Sequence, residues 1–108
     1  MTQRTYDLGA LDRVPLGEGR AFETGGRAIA VYRTRAGGLY ATEARCPHKG
    51  GPLADGMTGG ATVVCPLHGF AFDLTTGRPL ATECAHLRTF PVRVDDAGRL
   101  LVEVDGDD

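Results

Sequence analysis

Two short signatures carry the residues able to do chemistry: Cys46-Pro47-His48 and Cys65-Pro66-Leu67-His68, with sixteen residues between His48 and Cys65. Thiolates and imidazoles are ligands for zinc and for iron–sulfur clusters. Two Cys with two His is a legitimate structural zinc set, but zinc fingers pair like with like, as C-x₂₋₄-C and H-x₃₋₅-H. Here each signature is mixed, and a single residue separates the first pair. A mixed pair on each of two loops suits a binuclear cluster, in which one iron takes both cysteines and the other both histidines. Cys46 and Cys65 would hold one iron, and His48 and His68 the other. A mononuclear zinc site is the alternative.

Such a site needs two loops held side by side, and the rest of the chain reads as a scaffold for them. Glycine is abundant, 16 of 108 residues, and six prolines accompany it. That is roughly double the usual ~7% of glycine and predicts many turns and no long helix. The segment around Ala21–Thr24 pairs with Ala28–Arg33 through Gly25-Gly26, and Ile29 and Val31 share a face. Ala36-Gly37-Gly38 turns into a strand ending at Glu43. Ala61–Val64 and Gly69–Leu74 are β-rich. Phe90–Val94 alternates with Phe90, Val92 and Val94 inward, and the turn at Asp95–Gly98 leads to Arg99–Val104. A single helical turn is expected near Ala10–Leu16. Cys46–Gly60 is expected not to be strand, and Asp105–Asp108 to be a frayed tail. The fold class is therefore all-β, a small antiparallel sandwich or barrel, in one domain over residues 1–108, with cluster-binding loops at about 45–75 at one end.

Composition bounds the function. The hydrophobic fraction is 42%, the charged fraction 24% and the formal charge −2. No basic run points to nucleic acid. No window approaches the ~18 apolar residues of a membrane span, so no membrane partner is expected. No apolar signal core opens the chain, so the cytoplasm is the expected compartment. Three cysteines in a reducing compartment are not a disulfide framework. Cys84 is read as a small buried hydrophobe, and His86 as a surface or packing histidine. Lys49 is a loop charge, and Pro47, Pro52, Pro66 and Leu67 are expected to shield the site.

The two signatures, with their prolines and spacing, resemble the Rieske [2Fe–2S] motif. The likeness extends through Lys49-Gly50-Gly51-Pro52-Leu53-Ala54-Asp55-Gly56, Phe72-Asp73-Leu74-Thr75-Thr76-Gly77 and Arg88-Thr89-Phe90-Pro91-Val92-Arg93-Val94. It implies a [2Fe–2S] cluster on Cys46, His48, Cys65 and His68, and a one-electron carrier with no catalytic residue of its own. Neutral imidazoles in place of two thiolates raise the potential to between about −150 and +300 mV, against about −400 mV for plant-type ferredoxins. High-potential members carry a disulfide between the two loops and hydroxyls donating to the cluster. The matching positions here are Gly51 and Leu67, and Phe70 and Phe72. The resemblance therefore implies the low-potential, ferredoxin-like subclass.

The chain is short for a nicotinamide or flavin domain beside such a cluster, and no G-x-G-x-x-G follows a strand. A larger redox partner is expected. Cys46–Leu53 and Glu83–Phe90 look most like the small subunit of assimilatory NAD(P)H nitrite reductase, which implies a partner carrying flavin and siroheme. The second reading is a free Rieske ferredoxin working between a ferredoxin reductase and a terminal oxygenase. The third is a cluster-bearing binding or sensor module.

Overall fold

A computed structural model describes residues 3–45, 52–66, 71–80 and 86–105. The described chain is built from ten strands in three antiparallel sheets, with single 3-10 turns at Leu11–Arg13 and Leu53–Asp55. Strands β1 (Gln3–Ala10), β10 (Arg99–Asp105) and β9 (Val92–Val94) form the first sheet. Strands β2 (Glu18–Thr24), β3 (Arg27–Arg33), β4 (Leu39–Glu43) and β8 (Thr89–Phe90) form the second. Strands β5 (Met57–Gly59), β6 (Thr62–Val64) and β7 (Ala71–Asp73) form the third. The all-β antiparallel expectation holds.

The β2–β3 hairpin follows from its turn. Gly25 and Gly26 both have positive φ, 60° and 93°. A two-residue turn with both central residues left-handed matches the twist of the strands it joins, and glycine adopts that conformation without a Cβ penalty. The resulting register sets Phe22 across from Ile29 and Gly19 across from Tyr32.

Strand β3 is covered on both faces. Ile29 and Val31 point into a core with Leu8, Val14, Ala41, Phe90, Leu100, Val102 and Val104. Ala30 and Tyr32 point the other way, into a second core with Leu53, Val63, Cys65, Phe72, Leu74 and Leu87. Both faces of the strand are therefore apolar, as in strands buried between layers. The central sheet separates a β1–β10–β9 side from the β5–β6–β7 side.

Three local expectations change. Phe90–Val94 is not one strand. Pro91 has no N–H to give to a ladder, and the chain divides there, β8 pairing with β4 and β9 with β10. The Cys46–Gly60 segment does contain a strand, β5, paired with β6 from Met57↔Val64 to Gly59↔Thr62. Asp105 is the last residue of β10, paired with Gln3, while 106–108 lie outside the described residues. The expected helical turn is the 3-10 turn at Leu11–Arg13.

Candidate metal centre

The third sheet brings the loops together. Its register places Met57, Val64 and Ala71 side by side. The segment that follows the 46–51 loop enters at Met57. The 67–70 loop leaves after Pro66 and returns at Ala71. The described residues flanking 67–70 and the strand that follows 46–51 thus meet at one end of one sheet.

Each loop is fastened at its base. Arg45 and Pro52 form an isolated antiparallel bridge, and the Leu53 amide donates to the Ala44 carbonyl at 3.0 Å. Past the Leu53–Asp55 turn, Gly56 lies directly against the backbone of β6. A Cβ there would run into the Val64 carbonyl oxygen, so only glycine permits this approach. On either side of 65–70, Val64 pairs with Ala71, and beyond that pair Phe72 bridges Pro79 and the Leu80 amide donates to the Ala71 carbonyl at 3.0 Å.

Cys65 follows β6 directly, 1% exposed, in the core beneath the loops. Its neighbours there are Tyr32, Leu53, Val63, Phe72, Leu74 and Leu87. Cys46, His48 and His68 lie outside the described residues. Among the described residues no three His, Cys, Asp or Glu side chains gather at one point. The structure fits a cluster in one respect: the one described thiol, Cys65, sits buried in an apolar core.

The surroundings of that seat are specific. Phe72, where a hydroxyl would stand in high-potential relatives, is fully buried. Tyr32 is the nearby buried hydroxyl, 3.0 Å from Thr42 Oγ1. Thr42 Oγ1 donates its single proton to the Glu43 carbonyl at 2.8 Å, so Tyr32 is the donor to Thr42. Burial raises the Tyr32 phenol well above its ordinary range, opposed by the Thr42 bond and reinforced by the charges of Cys65 and Glu43. The phenol therefore stays protonated.

The flanking residues divide between core and surface. Leu53 is buried, whereas Pro52, Pro66 and His86 are exposed, as is Leu80 at 53%. Pro47, Lys49, Gly50, Gly51, Leu67, Phe70 and Cys84 lie outside the described residues. Reading the sequence did not single out Tyr32 or the close approach at Gly56. The alternation of Ala30 and Tyr32 opposite Ile29 and Val31 is the signal that marks Tyr32 as inward-facing.

A three-sheet antiparallel β scaffold with a cysteine buried at the end of one of its strands is a setting suited to an iron–sulfur electron-transfer module. The signature of the Rieske [2Fe–2S] domain matches residues 4–91, and the chain belongs to that family. It is a one-electron carrier with a Rieske two-iron, two-sulfur cluster. A Ralstonia protein described as the ferredoxin component of naphthalene 1,2-dioxygenase/salicylate 5-hydroxylase systems is 35% identical, over 94% of this chain and 97% of its own. The ferredoxin of carbazole 1,9a-dioxygenase from Nocardioides aromaticivorans superposes with a TM-score of 0.81 at 31% identity, covering 91% of this chain and 95% of that one. A Mycobacterium tuberculosis protein assigned as an NADH-dependent nitrite reductase small subunit superposes with a TM-score of 0.89 at 24% identity, covering 99% and 100%. This last likeness shows the shared fold. No helix among the described residues is long and apolar enough to cross a membrane.

Proposed function

We propose that this chain is a low-potential Rieske ferredoxin, one domain in the cytoplasm, that carries single electrons from a reductase to a terminal oxygenase. Cys46 and Cys65 hold one iron and His48 and His68 the other. The observation that carries the reading is the near full-length match, at 35% identity, to a dioxygenase ferredoxin component. The burial of Cys65 in an apolar core directly after β6 supports the ligand set.

When bound, the cluster accepts and returns one electron at a time. The chain's contribution is to seat Cys65 in an apolar core and to hold the two loop bases in register. EPR of the reduced protein tests the ligands. The wild type is expected to give a Rieske signal, and His48→Ala and His68→Ala to abolish it, because one iron loses a ligand. A colourless protein holding one zinc would refute the assignment. Restored turnover of a ring-hydroxylating oxygenase, on adding this protein and a ferredoxin reductase, tests the delivery.

The second reading is a nitrite reductase small subunit. The Cys46–Leu53 stretch, which looks most like that subunit, and the Glu83–Phe90 stretch, which is also similar to it, favour this reading. Copurification with a flavin- and siroheme-containing protein would select it.

A further inference from the structure

Tyr32 and Thr42 meet on the side of the central sheet that faces the core of Cys65. Across the β3–β4 ladder Tyr32 lies opposite Tyr40, and Ala30 opposite Thr42. Tyr32 and Thr42 are therefore diagonal neighbours on one face of the sheet. Ala30 and Tyr32 place that face against the second core. The Tyr32 hydroxyl reaches Thr42 Oγ1 at 3.0 Å, so the phenol leans along β4 toward Glu43, Ala44 and Arg45. Arg45 precedes Cys46. The side chain thus carries its one polar atom from its place opposite Tyr40 toward the base of the first loop.

Tyr32 and Thr42 are both 0% exposed. Apart from Cys65, the other buried members of this core have hydrocarbon side chains. The charge of Cys65 bears on the Tyr32 phenol. Thr42 commits that phenol. Its own proton goes to the Glu43 carbonyl at 2.8 Å, which leaves its oxygen to accept from Tyr32. A buried hydroxyl without an acceptor is costly, so a chain lacking Thr42 Oγ1 obliges Tyr32 to find another. The Cys65 sulfur is an acceptor in the same core.

We propose that Thr42 is a positioning residue: by holding the Tyr32 hydroxyl, it keeps a hydrogen-bond donor off the Cys65 sulfur and so keeps the reduction potential low. The proposal rests on the reading of Cys65 as a cluster ligand. A hydrogen bond strengthens as its acceptor gains negative charge, so a donor at a ligand sulfur favours the reduced cluster and raises the potential. The low potential is then maintained by a side chain that belongs to neither ligand loop, acting through a second side chain on the neighbouring strand.

Redox titration of the loaded protein tests this, followed by visible circular dichroism. Thr42→Val removes the acceptor at nearly constant shape. It is expected to favour reduction by about tenfold, a rise of 59 mV for one electron. Thr42→Ser restores a hydroxyl and returns the midpoint to the wild-type value. The double variant Thr42→Val/Tyr32→Phe also titrates as wild type, because the donor is gone. Thr42→Ala serves if the Val variant fails to load. EPR of each reduced protein confirms that the cluster is present. A wild-type midpoint in loaded Thr42→Val and Thr42→Ala, as when the Glu43 carbonyl captures the phenol, would overturn the proposal. So would a rise that persists in the double variant, since the effect would then come from the lost threonine dipole. In both cases the carrier reading stands. A wild type without a Rieske signal would overturn the carrier reading, and the role of Thr42 with it.

Discussion

Tyr32 shows how a single side chain near the metal centre is kept out of its chemistry. Its phenol is buried beside Cys65, yet its proton is committed to Thr42, whose own proton goes to the Glu43 carbonyl. Hydrogen bonds to the sulfurs are one of the levers that set a cluster's potential, and this hydroxyl does not supply one. Tyr32→Phe is expected to lower stability by about 1 kcal/mol, the ordinary worth of one buried hydrogen bond, seen as a lower denaturant midpoint. The reduction potential should not move. A large potential shift would mean that the phenol donates to sulfur instead. At this scale the ligand candidates were legible in the sequence, because Cys and His at that spacing have few other uses. Tyr32 was not, because its role depends on which proton Thr42 spends.

The elements were legible in proportion to how local their determinants are. The Gly25-Gly26 hairpin and the β9–β10 hairpin follow from turn residues and alternation; the first formed as read, and the second with its first strand cut to Val92–Val94. Strands β1 and β5 escaped the reading. Only Tyr6 and Leu8 mark an inward face in β1, and its partner β10 is nearly a hundred residues away. Strand β5 is three residues at a sheet edge with β6 as its hydrogen-bonded neighbour, and pairing rather than propensity makes it a strand.

Gly56 is the position where element packing meets the site. Gly56→Ala drives a methyl group into the Val64 carbonyl, one residue before Cys65, and the turn cannot shift without displacing the first loop. The expected outcome is a lower melting temperature together with lower iron content per chain. A fully loaded Ala variant would show that the contact is dispensable.

The β1–β10 pair carries a pH-dependent link. Arg99 Nε lies 2.6 Å from Asp7 Oδ2. The Arg99 hydrogen bond, with the Gly9 amide, holds the Asp7 carboxyl below its usual range. A lowered folded-state pKa means stabilisation that is present above the unfolded carboxyl's titration and is lost as pH falls through the lower, folded value. The melting-temperature gap between wild type and Asp7→Asn should therefore be full near pH 7 and should close in acid below the ordinary carboxylate range. A gap that persists there would assign it to packing.

Across the whole molecule, the two cores have different owners. Among the described residues, the core of Ile29, Val31, Leu100, Val102 and Val104 contains none from 45–75. The other is built largely from that stretch, with Cys65 inside it. The division was not legible beforehand, because β3 serves both and only three-dimensional stacking assigns Ala30 and Tyr32 to the second. Phe72 belongs to that second core, and with no hydroxyl there the expected potential lies toward the low end of the Rieske range, nearer about −150 mV than +300 mV. Redox titration checks this, and a midpoint above about +200 mV would refute it.

Divided ownership bears on how the protein matures. The first core closes with aliphatic and aromatic residues alone, whereas the second surrounds Cys65, the thiol proposed to bind iron. The first can thus be complete before a cluster is loaded. Loading then acts on a finished base rather than on an unfolded chain. Insertion becomes the last step of folding, confined to one side of the central sheet.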